Sequence, residues 1–175
     1  MKIGFNSSLK FAHVLLSKGE QSDFVYKSFN FYAGLLVAND KTRIAIESAE
    51  NLIKSVENYE KDKSEIVNLY VIKILCMIIN EEDEKIIEES FSKAQDYAVE
   101  RDDSNRLKAL ESIKVAVNKG DLSLFNSNVY EVTHSLDNEI VKKLRSAYEK
   151  AEAERKENKE NNKDDTKEKE EEEYL

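Results

Sequence analysis

The chain has 175 residues, a formal net charge of −9, no proline and four glycines. This length suits a single domain, and the scarcity of proline and glycine beside abundant lysine and glutamate favours helices over turn-rich β folds. Because phosphate binding needs a basic face, the acidic excess argues against a nucleic-acid partner.

Eight helices are predicted from cap residues and apolar periodicity. Ser, Thr and Asp accept hydrogen bonds from the free N–H groups of a first turn, and apolar residues that recur every three or four positions mark one helix face. The predicted starts, in chain order, are Ser7 or Ser8, Ser22, Thr42, Ser64, Asp83, Ser104, Asp121 and Asp137. The first helix is predicted to end before Gly19, the second near Val37 and the fifth near Val99, and the eighth to fray beyond residue 152.

Two of these helices have an unusual apolar content. The second carries a cluster of aromatic residues, interpreted as core with an exposed membrane or partner patch as the alternative: Phe24, Phe29, Phe31 and Tyr32. The fourth is apolar nearly all round between Ile66 and Ile79, which predicts a helix packed on two sides. A β-strand is the rival interpretation, because Val and Ile favour sheets, but no second strand is available to pair with it.

Two corners between the last three helices follow from residue chemistry. At Gly120-Asp121 the glycine tolerates the left-handed conformation that ends a helix, and the aspartate caps the next helix. At the second corner, Ser135-Leu136-Asp137, the aspartate again stands where a helix begins. The predicted core stripe of the seventh helix, between the two corners, consists of Leu122, Phe125, Val129 and Val132.

The even spacing of the helix starts predicts an architecture. Each helix with its turn takes about twenty residues, so an antiparallel pair takes about forty, as in helical solenoid repeats. We therefore predict an all-α fold of stacked antiparallel hairpins over residues 1–152, a TPR-like right-handed solenoid, followed by a disordered tail over residues 153–175. A compact up-and-down bundle would give a similar sequence and stays open as the alternative.

The tail holds much of the negative charge. From Glu152 onward there are eleven acidic and six basic positions, so this segment carries −5. An acidic segment of this kind favours a basic protein surface, through an attraction that weakens as salt is added.

Neither a metal site nor a cofactor is predicted. Cys76 lies in an apolar run and is interpreted as a small core residue, while His13 and His134 have no partners at metal-ligand spacing. The chain has no glycine-rich phosphate loop, and its paired carboxylates fit helix surfaces, so an enzyme is not predicted. With no apolar leader, and a longest apolar stretch (residues 66–79) too short for a bilayer, we expect a soluble cytoplasmic protein.

Residues 104–152 resemble the C-terminal portion of the soluble NSF attachment proteins, most closely the gamma type. The shared features, in order, are a helix, the Gly120-Asp121 corner, Phe125, the Val-x-Glu of residues 129–131, the Leu136-Asp137 turn, the Leu144 helix and a glutamate-rich tail with Tyr174 near its end. The similarity covers residues 58–152, whereas residues 5–57 match in helical character alone. Family members usually place acidic residues in the helix before the Gly corner, and here Val115, Asn118 and Lys119 occupy those positions.

The resemblance implies an adaptor that performs no bond chemistry. Family members lie along a SNARE four-helix bundle and present their C-terminal end to a hexameric AAA ATPase, which pulls the bundle apart. The implied ATPase contact in the tail comprises Glu171, Glu172, Glu173, Tyr174 and Leu175. The cations expected on solvent faces, opposite an acidic SNARE surface, are Lys61, Lys63, Lys73, Arg101, Arg106 and Lys108.

The resemblance implies a SNAP-like adaptor in intracellular protein transport and vesicle-mediated membrane fusion. It would bind SNARE complexes, recruit or stimulate the NSF-type AAA ATPase, and be cytoplasmic with at most peripheral association with vesicle or organelle membranes. A generic helical-repeat scaffold for protein–protein interactions is the alternative. The scaffold would keep its partner after removal of the tail, whereas in the SNAP-like adaptor deletion of Tyr174-Leu175 would lower the stimulated ATPase activity.

Overall fold

Every regular element of the described chain is an α-helix. The computed structural model describes residues 22–59, 64–98 and 101–172, and within these ranges it contains no strand. The helices are α1 Ser22–Ala38, α2 Thr42–Tyr59, α3 Ser64–Ile79, α4 Glu84–Gln95, α5 Arg101–Lys119, α6 Leu122–Thr133 and α7 Asn138–Glu172. The all-α prediction is confirmed. The helix predicted from Ser7 or Ser8 lies outside the described residues.

Helix α3 forms the centre of the molecule. Between Ile66 and Ile78 every side chain except Asn68 is buried, and α3 contacts α1, α2, α4, α5 and α7. A helix that is apolar on all sides must be covered on all sides, because each exposed apolar face would stay in contact with water. The sequence predicts packing on two sides, and the structure shows packing all round.

The remaining helices close around α3. Neighbours in sequence pack most extensively, α2 with α3 and α5 with α6, as expected for helices joined by short loops. In addition, α7 packs against α1 and α3. In a solenoid each repeat contacts only its neighbours. The contact between the first and last described helices is therefore a feature of a closed bundle, the alternative that the sequence leaves open.

Two lysines on α7 reach the ends of other helices. Lys143 Nζ lies 2.5 Å from Asp40 Oδ1, just after α1, and Lys150 Nζ lies 2.6 Å from Glu81 Oε1, just after α3. Asp40 and Glu81 both adopt positive φ, of 56° and 53°. A side chain costs free energy in this left-handed conformation. Each ion pair therefore joins α7 to a strained turn that ends a neighbouring helix.

The predicted helix starts are accurate at most positions. Thr42 and Ser64 begin α2 and α3 as predicted, and Asp83 caps α4 by accepting a hydrogen bond from Lys85 N at 2.9 Å. Helix α4 ends earlier than predicted, at Gln95. Helix α5 begins at Arg101, three residues before the predicted start, so that Asp102 and Asp103 lie in its first turn. Carboxylates are stabilised there by the helix dipole.

Helix α7 extends beyond the predicted domain boundary. Disorder is predicted from residue 153, whereas the helix continues to Glu172. Lysine and glutamate are good helix formers, and pairs four residues apart add support, as in Lys156 Nζ to Glu152 Oε1 at 2.9 Å. Packing against the body stops near Arg155, which is the last half-buried side chain in the described part of this helix.

The corner at Gly120-Asp121 forms as predicted. Gly120 has φ +64°, and the Asp121 N–H donates to Ala116 O at 3.0 Å, which closes the end of α5. Asp121 Oδ1 accepts from Leu124 N at 2.9 Å and so caps α6. Every bond at this corner joins residues within five positions of one another.

The corner at Ser135–Asp137 has a local cap and long-range support. Asp137 Oδ1 accepts from Glu139 N at 2.9 Å, as predicted for the start of α7. Asn30 of α1 also binds this corner twice: its Nδ2 donates to Ser135 O at 3.0 Å, and its Oδ1 accepts from Asp137 N at 3.1 Å. One turn further along α1, a Cβ on Gly34 would overlap the Asp137 carboxylate. The corner therefore fits against α1 only because position 34 has no side chain.

Candidate protein-binding surfaces

Lys73, predicted to face a partner, is buried in the centre of the molecule. Its ammonium group lies 3.8 Å from Glu50 Oε2 and 5.8 Å from the centroid of the Tyr70 ring. Burial lowers the pKa of Lys73, and the nearby Glu50 carboxylate partly opposes that shift. The prediction that Lys73 lies on a solvent face is wrong, because α3 is enclosed and leaves no such face.

Arg106 is also buried rather than available to a partner. Its Nη1 donates to Asn68 Oδ1, and its Nη2 donates to Val132 O at 3.2 Å and Ser135 Oγ at 3.0 Å. The guanidinium thus connects α3, the end of α6 and the Ser135–Asp137 corner. Placing Arg106 on a solvent face was wrong for a physical reason: a buried planar cation with several donors can satisfy carbonyl groups from different elements at once.

The other predicted cations do not make one described surface. Lys108 is exposed on α5, as predicted. Arg101 begins α5, but its side chain is outside the described part, and Lys61 and Lys63 lie in the undescribed segment between α2 and α3. Within the described residues, the structure therefore retains one of the six predicted SNARE-facing cations on the surface.

The predicted tail contact lies far from the body along the chain. Glu171 and Glu172 fall in the last turn of α7, and Glu173, Tyr174 and Leu175 lie outside the described residues. The 17 residues that follow Arg155, up to Glu172, extend the helix by about 26 Å. The first two predicted contact residues are thus separated from the packed bundle by several turns of charged helix.

The outer side of α6 carries a surface that the sequence analysis missed. Leu122 and Tyr130 are 51% and 77% exposed, and with Asn126 and His134 they repeat every four residues. This spacing places the four side chains, here called the α6 ridge, along one line of the helix. The rings of Tyr130 and His134 lie 5.8 Å apart. The prediction that Leu122 belongs to the core stripe is wrong, whereas Phe125, Val129 and Val132 are buried as predicted.

The aromatic cluster of α1 divides between core and surface. Phe29 is buried and Tyr32 partly buried, which agrees with the core interpretation. Phe31 is 61% exposed, and Leu35, one turn later, is 47% exposed. These two residues, here called the α1 patch, match the alternative interpretation of an exposed patch. The Phe24 side chain is outside the described part.

Two further polar side chains among the described residues have strongly raised pKa values. Cys76 is fully buried, as predicted for a core residue, and burial raises the pKa of its thiol to about 12. The Tyr97 hydroxyl donates to Glu57 Oε1 at 2.6 Å, and this bond raises the pKa of Tyr97 to about 12. Across the described ranges, no cluster of three His, Cys, Asp or Glu residues is arranged to hold a metal ion.

The chain matches no protein-family model, no curated protein and no solved structure. None of the described helices has both the length and the apolar character needed to cross a bilayer. Arguments about function therefore rest on the surfaces of this molecule. Two of these surfaces, the α6 ridge and the α1 patch, each expose two large apolar side chains, and Ile86 of α4 is exposed singly.

Proposed function

We propose that the protein is a helical adaptor that binds other proteins and acts as the soluble NSF attachment proteins do. In this role it engages SNARE complexes and recruits or stimulates an NSF-type AAA ATPase for their disassembly. Such a role belongs to intracellular, vesicle-mediated transport and places the protein in the cytoplasm with at most peripheral membrane association. The proposal rests on the resemblance over residues 104–152 and on one structural observation.

That observation is the exposed α6 ridge. It begins at Leu122, directly after the Gly120-Asp121 corner, inside the stretch that carries the resemblance. Tyrosine is enriched at the centres of protein interfaces, because it supplies a large apolar area together with a polar group. Exposed Tyr130, two turns from exposed Leu122 on the same side of α6, gives this end of the molecule an anchor for a partner.

The tail supplies a second, electrostatic element of the proposal. Its charge of −5 favours encounter with a basic surface of the ATPase, and the terminal Tyr174-Leu175 would add apolar contact. Electrostatic steering of this kind acts on the association rate and weakens with salt. The α6 ridge and the tail are therefore expected to differ in how salt affects their contributions.

The SNARE-binding element has weaker support from the structure. Lys73 and Arg106 are committed to the interior, which leaves Lys108 as the exposed member of the predicted set within the described residues. The finer architecture, a TPR-like right-handed solenoid, is supported by the succession of packed neighbours α2–α3 and α5–α6. The contact between α1 and α7 argues against it.

The test is capture and stimulation of a purified NSF-type ATPase, with and without SNARE complex. Replacing both Leu122 and Tyr130 by Ala is expected to reduce stimulation about tenfold or more. A loss of this size is typical when a hot-spot residue of an interface is truncated. Deleting Tyr174-Leu175 is expected to lower stimulation mainly at low salt. The control is Phe31→Ala, which removes another exposed ring, on α1 rather than α6. If the intact chain neither binds nor stimulates the ATPase at low salt, the adaptor proposal fails.

A generic interaction scaffold is the second candidate, and the α1 patch favours it. Phe31 and Leu35 form an exposed apolar pair outside the stretch of closest resemblance. If the scaffold interpretation holds, a partner isolated with the intact chain will still bind after removal of residues 173–175 and after the double change in the α6 ridge. Its binding will be lost when Phe31 and Leu35 are both replaced by Ala.

A further inference from the structure

A cleft of about 240 Å³ opens between the end of α3, the start of α4, the end of α5 and the middle of α7. None of its lining residues belongs to the α6 ridge or to the predicted tail contact. We call it the acidic cleft. Its carboxylates are Glu81, Glu82, Glu84 and Glu154.

The floor of the cleft is apolar. Ile78, Ile87 and Val117 come from three different helices and are each less than one-tenth exposed. Ala147 and Ala151 are one turn apart on α7, and their small side chains leave the space open. An apolar floor of this kind suits the aliphatic part of a ligand, since covering it removes that area from water.

The walls carry an excess of negative charge. Four carboxylates line the cleft, against two cationic side chains. The buried Lys114 ammonium is already paired, at 3.3 Å from Glu84 and 3.4 Å from Glu88. Lys114 therefore offers little to an anion. Outside the lining, Lys150 Nζ lies 2.6 Å from Glu81 Oε1 and 3.8 Å from Glu154 Oε1, and Glu82 Oε1 accepts from Asn80 Nδ2 at 2.7 Å. Each carboxylate has two oxygens with several acceptor positions, so Glu82 and Glu154 can still accept from an added cation.

Arg155, which lines the cleft, has one donor without an acceptor among the described residues. Arg155 Nη1 is buried and makes no hydrogen bond there. It lies beneath the α5–α6 corner, where a Cβ on Gly120 would stand 3.1 Å from it. A buried guanidinium N–H without an acceptor is costly, so a ligand that brings a carbonyl oxygen into the cleft would gain from pairing with it.

We propose that the acidic cleft binds a short basic segment of a partner protein. A lysine or arginine of the segment pairs with Glu82 and Glu154, its aliphatic stem covers Ile78 and the neighbouring floor, and a backbone carbonyl accepts from Arg155 Nη1. This inference goes beyond the adaptor proposal, since it needs neither the ATPase nor a SNARE protein.

Other ligand classes fit the same features less well. A metal ion lacks a suitable cluster, because the described residues hold no group of three ligating side chains close enough together. A polyamine would satisfy the carboxylates, but it has no acceptor for Arg155. A phosphate or free carboxylate would meet four glutamates at close range. A peptide supplies the cation, the apolar stem and the acceptor together.

The test measures the anisotropy of a short labelled peptide with regularly spaced lysines separated by alanine and leucine. The control peptide has glutamate in place of each lysine. The intact protein is expected to bind the basic peptide, more tightly at low salt, and not the acidic one. Equal binding of both peptides, or of neither, overturns the proposal. Displacement by spermine at equal affinity would instead assign the cleft to polyamines.

Matched variants locate the binding. Ala151→Leu fills the cleft and is expected to abolish binding, whereas Ala153→Leu, at an exposed position on the same helix, leaves it unchanged. Replacing Glu82 and Glu154 by Gln is expected to weaken binding about fivefold. The exposed Glu157→Gln is the control for that charge change. If Ala151→Leu binds as well as the intact chain, the peptide binds elsewhere and the proposal is wrong.

Arg155→Met separates a binding role from a structural one. Removing the unpaired donor while keeping most of the side-chain volume is expected to raise the melting temperature. The same change is expected to weaken peptide binding about tenfold, because the carbonyl loses its donor. A variant that gains stability without losing peptide affinity would show that Arg155 does not contact the ligand.

Discussion

The two corners that flank α6 use the same chemistry and depend on different distances along the chain. At Gly120-Asp121, the left-handed glycine and the aspartate cap bind residues within five positions. The Ser135–Asp137 corner has an equivalent cap, but Asn30 and Arg106 also hold it, from more than one hundred and about thirty residues away. A corner formed by neighbours in sequence can form before the bundle closes. A corner held by α1 and α5 requires the closed bundle.

This difference assigns separate roles to the two ends of α6. The Gly120 corner fixes the direction of α6 and so positions the α6 ridge. The Ser135–Asp137 corner joins α7, the helix that leads to the acidic tail, to α1. Disturbing the first corner should remain a local effect, while disturbing the second should loosen α1, α5 and α7 together.

The largest effect is expected from Arg106→Ala. Removing the guanidinium leaves Asn68 Oδ1 and Val132 O without their donor in a buried site, which should lower the free energy of unfolding by about 3 kcal/mol. Denaturant unfolding measures this loss. The control is Lys108→Ala, an exposed cation on the same helix, with an expected change within about 0.5 kcal/mol. Equal losses of stability from the two changes would show that Arg106 does not support the Ser135–Asp137 corner.

Gly34→Ala should cause the second largest loss in the free energy of unfolding. The new Cβ overlaps the Asp137 carboxylate, so the cap must move, and we expect a loss of about 2 kcal/mol despite the better helix propensity of alanine. Adding Asp137→Gly should restore part of the loss, because glycine is an acceptable cap and has no carboxylate to displace. Additive effects in the double variant would mean that the two residues do not collide.

Gly120→Ala should cost about 1.5 kcal/mol, because φ at this position is +64° and a Cβ is unfavourable there. Gly120→Asn should cost less, since asparagine tolerates the left-handed region better. The loss from Gly120→Ala should add to that from Gly34→Ala within about 0.5 kcal/mol, as for independent sites. A large coupling between them would contradict the distinction between a local and a long-range corner.

Tyr148→Phe should have the smallest effect, and it should be favourable. The Tyr148 hydroxyl is buried and has no hydrogen-bond partner among the described residues; it lies on the side of α7 that packs against Phe125. Removing it should stabilise the fold by about 1 kcal/mol or less near neutral pH.

Alkaline pH sharpens the same prediction. Burial, followed by the nearby Glu152 and Asp121 carboxylates, raises the pKa of Tyr148 in the folded state. The folded protein therefore holds this proton more tightly than the unfolded chain, whose tyrosine titrates near pH 10. The free energy of unfolding is therefore unaffected by this group below about pH 10 and falls as the pH rises further, because the unfolded chain loses the proton more readily. The stability difference between Tyr148→Phe and the wild type should widen above pH 10, and a constant difference would contradict this account.

Sequence reasoning recovered the helices well and the surfaces poorly. Caps such as Asp83 and Asp121 act on N–H groups two or three residues away, so their effect can be predicted without the rest of the fold. The burial of Lys73 could not be predicted in this way. Its helix contacts five others, and a lysine can be enclosed with Glu50 only once those helices are in place.

The candidate surfaces show the same limit. The four-residue spacing from Leu122 to His134 was available in the sequence, but Phe125 and Val129 offered a second apolar stripe on the same helix. A stripe is exposed or buried according to where neighbouring helices lie, and α5 and α7 cover the Phe125 side. The same holds for Phe31, which is exposed beside buried Phe29.

By itself, the order of residues determined that this chain is helical and where most helices begin, because caps, glycine turns and apolar periodicity act over a few positions. Only the tertiary structure decided that α7 returns to α1, that two predicted binding cations serve the interior, and that an acidic cleft opens beside Arg155. These outcomes depend on contacts between residues far apart in the chain. Such contacts come from packing all the helices together, which no local pattern specifies.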